Sequence, residues 1–257
     1  MIPTQNQPRR VVTHISPISI NYLHLRKPWI PAWWSAAFPG YGHLMLCKYV
    51  TAYILIAWEI FINTKSRLNT AIFYSMNGQF PKAMKELNKE WILLYVPVYL
   101  FCIWDCYRRT VQYNQEYLLG FRENEEQSMI SVNISTWELN VLDKRKPYIA
   151  LVWSLLFPGL GHLYLNRLPS VIFCTIWFVV IIQFGHILPA IHYTFYGHFA
   201  AAKAVLDPQW LLYIPSIYVF FAYDAYMNAV EYNKLYEREQ ARYIKNNYQD
   251  RFFKKPI

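Results

Sequence analysis

The sequence predicts an all-α integral membrane protein built as a tandem direct repeat. Each copy combines a Pro/Gly-broken re-entrant or interfacial hairpin with two transmembrane helices. Composition is the first observation behind this class: hydrophobic residues make up 55% of the 257 residues, aromatic residues 19% and charged residues only 16%. Aromatic usage well above that of ordinary globular proteins, together with few charges, favours a membrane protein.

An internal repeat is the second observation. Shifting the sequence by 119 positions aligns residues 15–117 with residues 134–236 without a gap, and 36 of the 103 aligned positions are identical. A period this long is far outside the range of solenoid repeats, so it indicates two copies of one folding unit. We therefore divide the chain into a cytoplasmic arm, repeat 1, a cytoplasmic linker, repeat 2 and a basic cytoplasmic tail, covering residues 1–14, 15–118, 119–133, 134–237 and 238–257.

Apolar stretches are the third observation, and there are three in each copy. They cover residues 29–47, 49–63 and 91–107, and then 148–166, 168–182 and 210–226. Several are shorter than the roughly 20 residues that a helix needs to span the hydrocarbon core. The lengths alone therefore do not determine which of these stretches cross the membrane.

The distribution of basic residues predicts which regions lie on the cytoplasmic side of the membrane. The arm carries four Lys or Arg, the linker region six and the tail seven, counted beside the apolar stretches. By the positive-inside rule all three regions, including both termini, belong on the cytoplasmic side. Each copy must then cross the membrane an even number of times, so one stretch per copy does not cross. We expect the two copies to be related by a pseudo-twofold axis along the membrane normal.

The first stretch of each copy is the candidate for the hairpin, because it contains the sequence Phe-Pro-Gly-x-Gly-His-Leu. Pro39, Gly40 and Gly42 interrupt its helical pattern in the first copy. Such irregular backbone is tolerated at membrane depth only where protein covers it. The candidate residues of this motif are Pro39, Gly40, Gly42 and His43, with Pro158, Gly159, Gly161 and His162 in the second copy.

His43 and His162 are the sharpest candidates for function, because ionisable groups inside a membrane are costly and often functional. Together they could hold a metal ion or relay protons. The structural alternative, which we favour, is that each imidazole bonds to a backbone carbonyl freed by the glycine turn. The glycines are expected to supply backbone freedom and close helix approach.

Asp105 and Asp224 end the last apolar stretch of each copy. Arg108 and Arg109 stand one turn beyond Asp105, but Met227 and Asn228 occupy the matching positions. We therefore predict that these aspartates pair with Lys27 and Lys146, or with Arg26 and Arg145, and so fix the hairpin against the third helix. A proton or ion site is the alternative.

The flanking segments carry further expectations. Tyrosines recur beyond the third stretch, at Tyr113, Tyr117, Tyr232 and Tyr236, and indicate that the helix continues several turns into the cytoplasm. Residues 80–89 suit a helix lying in the membrane interface. Residues 12–20 and 130–134 alternate apolar with polar residues, which predicts that these two arms pair as short strands.

The motif from Phe157 to Arg167, preceded by Lys146, resembles the two-transmembrane-helix domain family, whose members join two helices through a glycine-rich turn. The resemblance covers residues 146–182 and 27–63. The first copy departs from it at Met45 and at Cys47-Lys48, where the second has Tyr164 and Asn166-Arg167. It implies a membrane protein without established chemistry.

The remaining residues argue against several classes of protein. A net charge of +9 accompanies no recognisable nucleic-acid module. Cys47, Cys102, Cys106 and Cys174 have no cysteine at the matching positions of the other copy, so neither disulfides nor a zinc site is expected. Glu59 has Phe178 opposite it, which excludes a role shared by both copies.

These observations predict a non-enzymatic membrane scaffold or assembly factor, with no catalytic residues, cofactor or metal. Its expected partners are the lipid bilayer and a membrane protein or a second copy of the chain. The alternative is a small transporter or channel subunit, with a site at the repeat interface lined by His43 and His162.

Overall fold

The computed structural model describes residues 10–123, 132–136 and 138–249, and the chain is mostly helical. Part of the predicted arm, linker and tail lies outside these residues. The first half contains β1 (Thr13–Ser16), β2 (Ser19–Tyr22), α1 (Trp29–Ala37), α2 (Tyr41–Met45), α3 (Tyr49–Ser66), α4 (Leu68–Met76), α5 (Phe80–Glu86) and α6 (Lys89–Glu123). The second half contains β3 (Val132–Ile134), β4 (Leu139–Val141), α7 (Pro147–Leu156), α8 (Leu160–Tyr164), α9 (Leu168–Phe184), α10 (Ile187–Phe195), α11 (Phe199–Val205), α12 (Pro208–Leu211) and α13 (Tyr213–Tyr248).

Backbone turns occur at matching places in the two halves. Among the described residues, those with positive φ form four pairs that are 119 positions apart: Gly40 and Gly159, Cys47 and Asn166, Arg67 and His186, and Gly78 and Gly197. The first pair ends the opening helix of each hairpin, with φ of 100° at Gly40 and 107° at Gly159. Only glycine adopts this conformation without steric cost.

The glycine motif forms a tight helical hairpin. Helix α1 has nine residues and therefore covers about 14 Å, roughly half the thickness of a hydrocarbon core. Helix α2 then returns against it so closely that a Cβ atom added at Gly42 would lie 2.1 Å from the carbonyl oxygen of Pro31. At Gly161 the same atom would lie 2.2 Å from the oxygen of Ala150. Any side chain at these positions would force the two helices apart.

Each hairpin packs against the long last helix of its own half, α1 on α6 and α7 on α13. Helix α6 has 35 residues and α13 has 36, so both continue well beyond the roughly 20 residues that span a bilayer. The extension holds the segment that enters the hairpin. Asn114 accepts a hydrogen bond from the Arg26 N–H at 2.9 Å and donates one to the Arg26 carbonyl at 2.7 Å. Asn233 does the same with Arg145, at 2.8 and 2.7 Å.

The strand prediction is wrong in its pairing. Each arm folds back on itself as an antiparallel hairpin, β1 with β2 and β3 with β4. Pro17 occupies the first turn, where its fixed φ favours reversal of the chain. The two hairpins still meet, through the side chains of Asn133 and Asn140, which donate to the carbonyls of Ile15 at 3.0 Å and Ser16 at 2.8 Å.

The two halves share one aromatic core. Trp34 and Tyr41 of the first hairpin contact Phe220 of α13, with ring centroids 5.1 and 4.2 Å apart. A twofold axis would repeat this contact between Trp153 and Phe101. Both of those side chains instead remain about half exposed, at 45% and 50%. The expected pseudo-twofold arrangement is therefore wrong, because the second half packs on the first in a head-to-tail manner.

One helix in the described part of the chain, Lys89–Glu123, is long and apolar enough to cross a membrane by itself. The number rises to three if two strongly bent helix pairs are each counted as one span. These pairs are Leu168–Phe184 with Ile187–Phe195, and Phe199–Val205 with Pro208–Tyr248.

Candidate functional site

The hairpin histidine and the aspartate of the last helix meet in both halves. In the first half, His43 Nε2 lies 3.2 Å from Asp105 Oδ2 and His43 Nδ1 lies 3.2 Å from the Cys106 sulfur. The Ser35 hydroxyl donates to that sulfur at 2.9 Å. One set of proton positions satisfies all three hydrogen bonds: serine donates to cysteine, cysteine to histidine and histidine to aspartate.

Local sequence explains why these groups converge. The left-handed turn at Gly40 starts α2 with His43 facing inward, and Gly42 lets α2 approach α1 and α6. Asp105 and Cys106 are adjacent on α6, so one helix supplies both partners of the imidazole. All four side chains of this group are buried.

The second half retains the histidine and the aspartate but lacks the cysteine. His162 Nε2 lies 3.0 Å from Asp224 Oδ2. Ala225 stands in the place of Cys106, and both His162 Nδ1 and the Ser154 hydroxyl are buried without a hydrogen-bond partner. In the first half, the Cys106 sulfur lies between the two matching atoms, His43 Nδ1 and the Ser35 hydroxyl, and bonds to both.

Arg167 completes the site in the second half. Its guanidinium is fully buried, lies 3.2 Å from Asp224 Oδ2 and donates to the Tyr49 hydroxyl of the first half at 3.2 Å. The equivalent residue is Lys48, which is not fully buried. The buried arginine therefore joins the second histidine–aspartate pair to the first half.

The predicted partners of the aspartates are wrong in identity. Asp105 contacts His43, Arg108 at 2.6 Å and Arg109 at 3.4 Å, while Asp224 contacts His162 and Arg167. Lys27 and Lys146 are exposed, and Arg26 and Arg145 are held through their backbone groups. The histidines likewise bond to carboxylates rather than to the backbone carbonyls that we expected. The aspartates nevertheless connect the hairpin to the last helix.

The order Cys106, His43, Asp105 matches a nucleophile, a base and an orienting carboxylate. The surroundings favour a structural role, because the three side chains are buried and α2 closes over them. A Cβ atom at Gly42 would lie 2.8 Å from the cysteine sulfur, so a substrate has no room there. Across the described ranges, no group of three or more His, Cys, Asp or Glu is arranged to hold a metal ion.

A second polar cluster, which the sequence did not single out, joins the two halves through Glu59, Asn63, Asn69, Thr70 and Gln209. Gln209 Nε2 donates to Asn63 Oδ1 at 2.8 Å, and its side-chain oxygen accepts from Thr70 N and Oγ1, both at 3.1 Å. Asn63 donates to Glu59 Oε1 at 2.9 Å. Only the spacing of Glu59, Asn63 and Ser66 along α3 hinted at a polar face.

No family model, no curated protein and no solved structure matches this chain. The resemblance to the two-transmembrane-helix domain family therefore stays a prediction from the glycine motif. Function has to be argued from the sites themselves.

Replacing Asp224 by Asn is expected to destabilise the fold by about 3–5 kcal/mol, because Arg167 loses its buried counter-charge. The same change at Asp105 should cost less, about 1–2 kcal/mol, since Arg108 and Arg109 are partly exposed and can be solvated. Unfolding of the purified variants in detergent measures both. Unchanged stability and abundance of Asp224→Asn, combined with loss of a transport activity, would contradict the structural role.

Replacing Cys106 by Ala should cost about 1–3 kcal/mol, because it leaves His43 Nδ1 and the Ser35 hydroxyl without a partner. The reverse change, Ala225→Cys, should add about 0.5–1.5 kcal/mol of stability by bridging Ser154 and His162. Ala229→Cys, one turn further along the same helix, is the matched control. If Ala225→Cys is no more stable than Ala229→Cys, the bridging role of the thiol is wrong.

Proposed function

We propose that the chain is a multi-pass membrane protein of two tandem copies that acts as a non-enzymatic scaffold or assembly factor. Apolar side chains on outward helix faces support the membrane assignment. On α9, Ile172, Ile176 and Val179 are all exposed and recur at the spacing of one helix face. On α3, Val50 and Ile54 form a similar stripe. Exposed apolar surface of this extent is typical of contact with lipid or with another protein.

In the proposed topology α3, α6, α9 and α13 cross the bilayer, and the two glycine hairpins enter and return on the cytoplasmic side. Helix α3 has 18 residues, which cover about 27 Å, close to the thickness of the hydrocarbon core. The termini and the linker then lie in the cytoplasm. The connections that contain α4, α5, α10 and α11 lie on the other side.

Cysteine labelling in intact cells tests this topology. A cysteine in place of Lys85, on α5, should react with a membrane-impermeant maleimide added outside. A cysteine in place of Asp143, just before α7, should react only after permeabilisation. The parent protein, whose cysteines are buried or half buried, is the control. Labelling of the Asp143→Cys variant from outside would overturn the model of four crossings.

The scaffold assignment rests on one observation, the head-to-tail packing of the two halves. The contact of Trp34 with Phe220 uses a hairpin face of the first half and a last-helix face of the second. The second half keeps the same hairpin residue, Trp153, and the first half keeps the same helix residue, Phe101, both exposed. These two free faces are chemically complementary. A further copy would dock by repeating the internal contact, as heterologous interfaces allow.

Crosslinking between chains tests this assembly. Two variants, Phe101→Cys and Trp153→Cys, are expressed together and treated in membranes with a short bifunctional maleimide. A dimer joined between them is expected, because the internal contact places the matching rings 5.1 Å apart. Val50→Cys, at a position of α3 that is even more exposed, replaces Phe101→Cys in the control pair. Equal crosslinking in both pairs would mean random collision and would contradict the proposal.

The second candidate function is a small transporter or channel subunit, favoured by the buried carboxyl of Glu59 at the contact between the halves. The expected lining by His43 and His162 has no support, since both imidazoles are fully buried and bonded to aspartates.

A further inference from the structure

A cavity of about 290 Å³ lies beside the tip of the first hairpin, between α1, α3, α4, α6 and α13. Its polar lining comes from Glu59, Asn63, Asn69 and Ser216, and three tyrosines add aromatic walls and hydroxyl groups. This volume is at the lower end of the range of small-molecule sites and well above the space that one water needs. The cavity is therefore suited to a small ligand.

Two buried polar atoms in this cavity have no hydrogen-bond partner. Glu59 is 2% exposed, and its Oε1 atom accepts from Asn63 while Oε2 has no donor. The Tyr213 hydroxyl, on a side chain that is also 2% exposed, is unpartnered too. Buried polar groups are nearly always satisfied, so two such atoms in one cavity point to a bound group.

The second half provides an internal comparison. Phe38, Glu59 and Tyr99 line the cavity, and their counterparts are Phe157, Phe178 and Tyr218. There, Phe178 packs edge-on against Phe157 at 5.0 Å and against Tyr218 at 5.5 Å. The same aromatic frame thus encloses a phenyl ring in one half and a carboxyl group in the other. A phenyl ring is the better choice for stability alone, so the carboxyl calls for another explanation.

Glu59 lies far from both ends of α3. It is the eleventh residue of α3, about 15 Å along the helix from its start, which is near the middle of the hydrocarbon core in the proposed topology. A carboxyl group at that depth is costly and needs a partner. Asn63 and the neighbouring Tyr95 hydroxyl are both neutral groups and supply no charge. A cationic ligand would supply the missing charge.

We propose that this cavity binds a small protonated amine. The ammonium group donates to Glu59 Oε2 and to the Tyr213 hydroxyl oxygen, and Tyr95 and Tyr99 line the same cavity. Metal ions fit less well, because the described residues offer no cluster of three His, Cys, Asp or Glu ligands. The site goes beyond the scaffold function, and only the argument from the depth of Glu59 rests on the proposed membrane topology.

Equilibrium dialysis with radiolabelled ethylammonium at pH 7 tests the site on the purified full-length protein in detergent. Saturable binding of one ethylammonium per chain is expected, in the presence of excess sodium chloride. Glu59→Gln should weaken binding at least roughly tenfold, since the charge-assisted hydrogen bond is lost. Glu59→Phe, which copies the packing of the second half, should abolish binding and raise the melting temperature.

Glu90→Gln makes the same chemical change at an exposed position of α6 and should bind like the parent. Melting curves of all variants verify that each is folded. The proposal is overturned if the parent shows no saturable binding, if sodium competes as well as unlabelled ethylammonium, or if the folded Glu59 variants bind as the parent does. Crosslinking between copies is unaffected by these outcomes, so the scaffold function is judged separately.

Discussion

The structure depends on one interaction, the hydrogen bond between the hairpin histidine and the aspartate of the last helix. The glycine turn brings the histidine inward, and the aspartate holds it at 3.2 Å in the first half and 3.0 Å in the second. Together with the packing of α1 on α6 and of α7 on α13, this bond fixes a short helix and a five-residue return against the last helix of each half. The aromatic core between the halves is built on the hairpin held in this position.

The two halves differ in how they satisfy this pair. The first surrounds it with Ser35, Cys106 and two partly exposed arginines, whereas the second relies on the fully buried Arg167. A buried arginine is costly unless its donors are bonded, and Tyr49 of the other half supplies one acceptor. One hydrogen bond of the buried Arg167 therefore requires the first half to be in place.

Much of the fold could be predicted from the sequence, because its signals are local. Pro39 and Gly40 mark the turn, apolar stretches mark the helices, and the tyrosines beyond them mark the long extensions. The partners of Asp105 and Asp224 could not be predicted, since the histidines lie 62 positions away and only the packed hairpin brings them close. The head-to-tail packing could not be predicted from the sequence either, because identical residues such as Trp34 and Trp153 lie in different environments. Glu59 has no acidic counterpart in the second half, and that asymmetry makes its cavity distinctive.

The length of α6 and α13 has a mechanical consequence. Helix α6 has 35 residues and an interior proline at Pro97, and the 26 residues that follow this proline form a rod of about 39 Å. A change in tilt of about 10° at one end of that rod displaces the other end by about 7 Å. Asn114 and Asn233 bind the backbone of the segments that lead into the hairpins, so those segments move with the rods. In the proposed topology, a small change in bilayer thickness, which alters helix tilt, would be converted into a larger displacement at the ends of the helices.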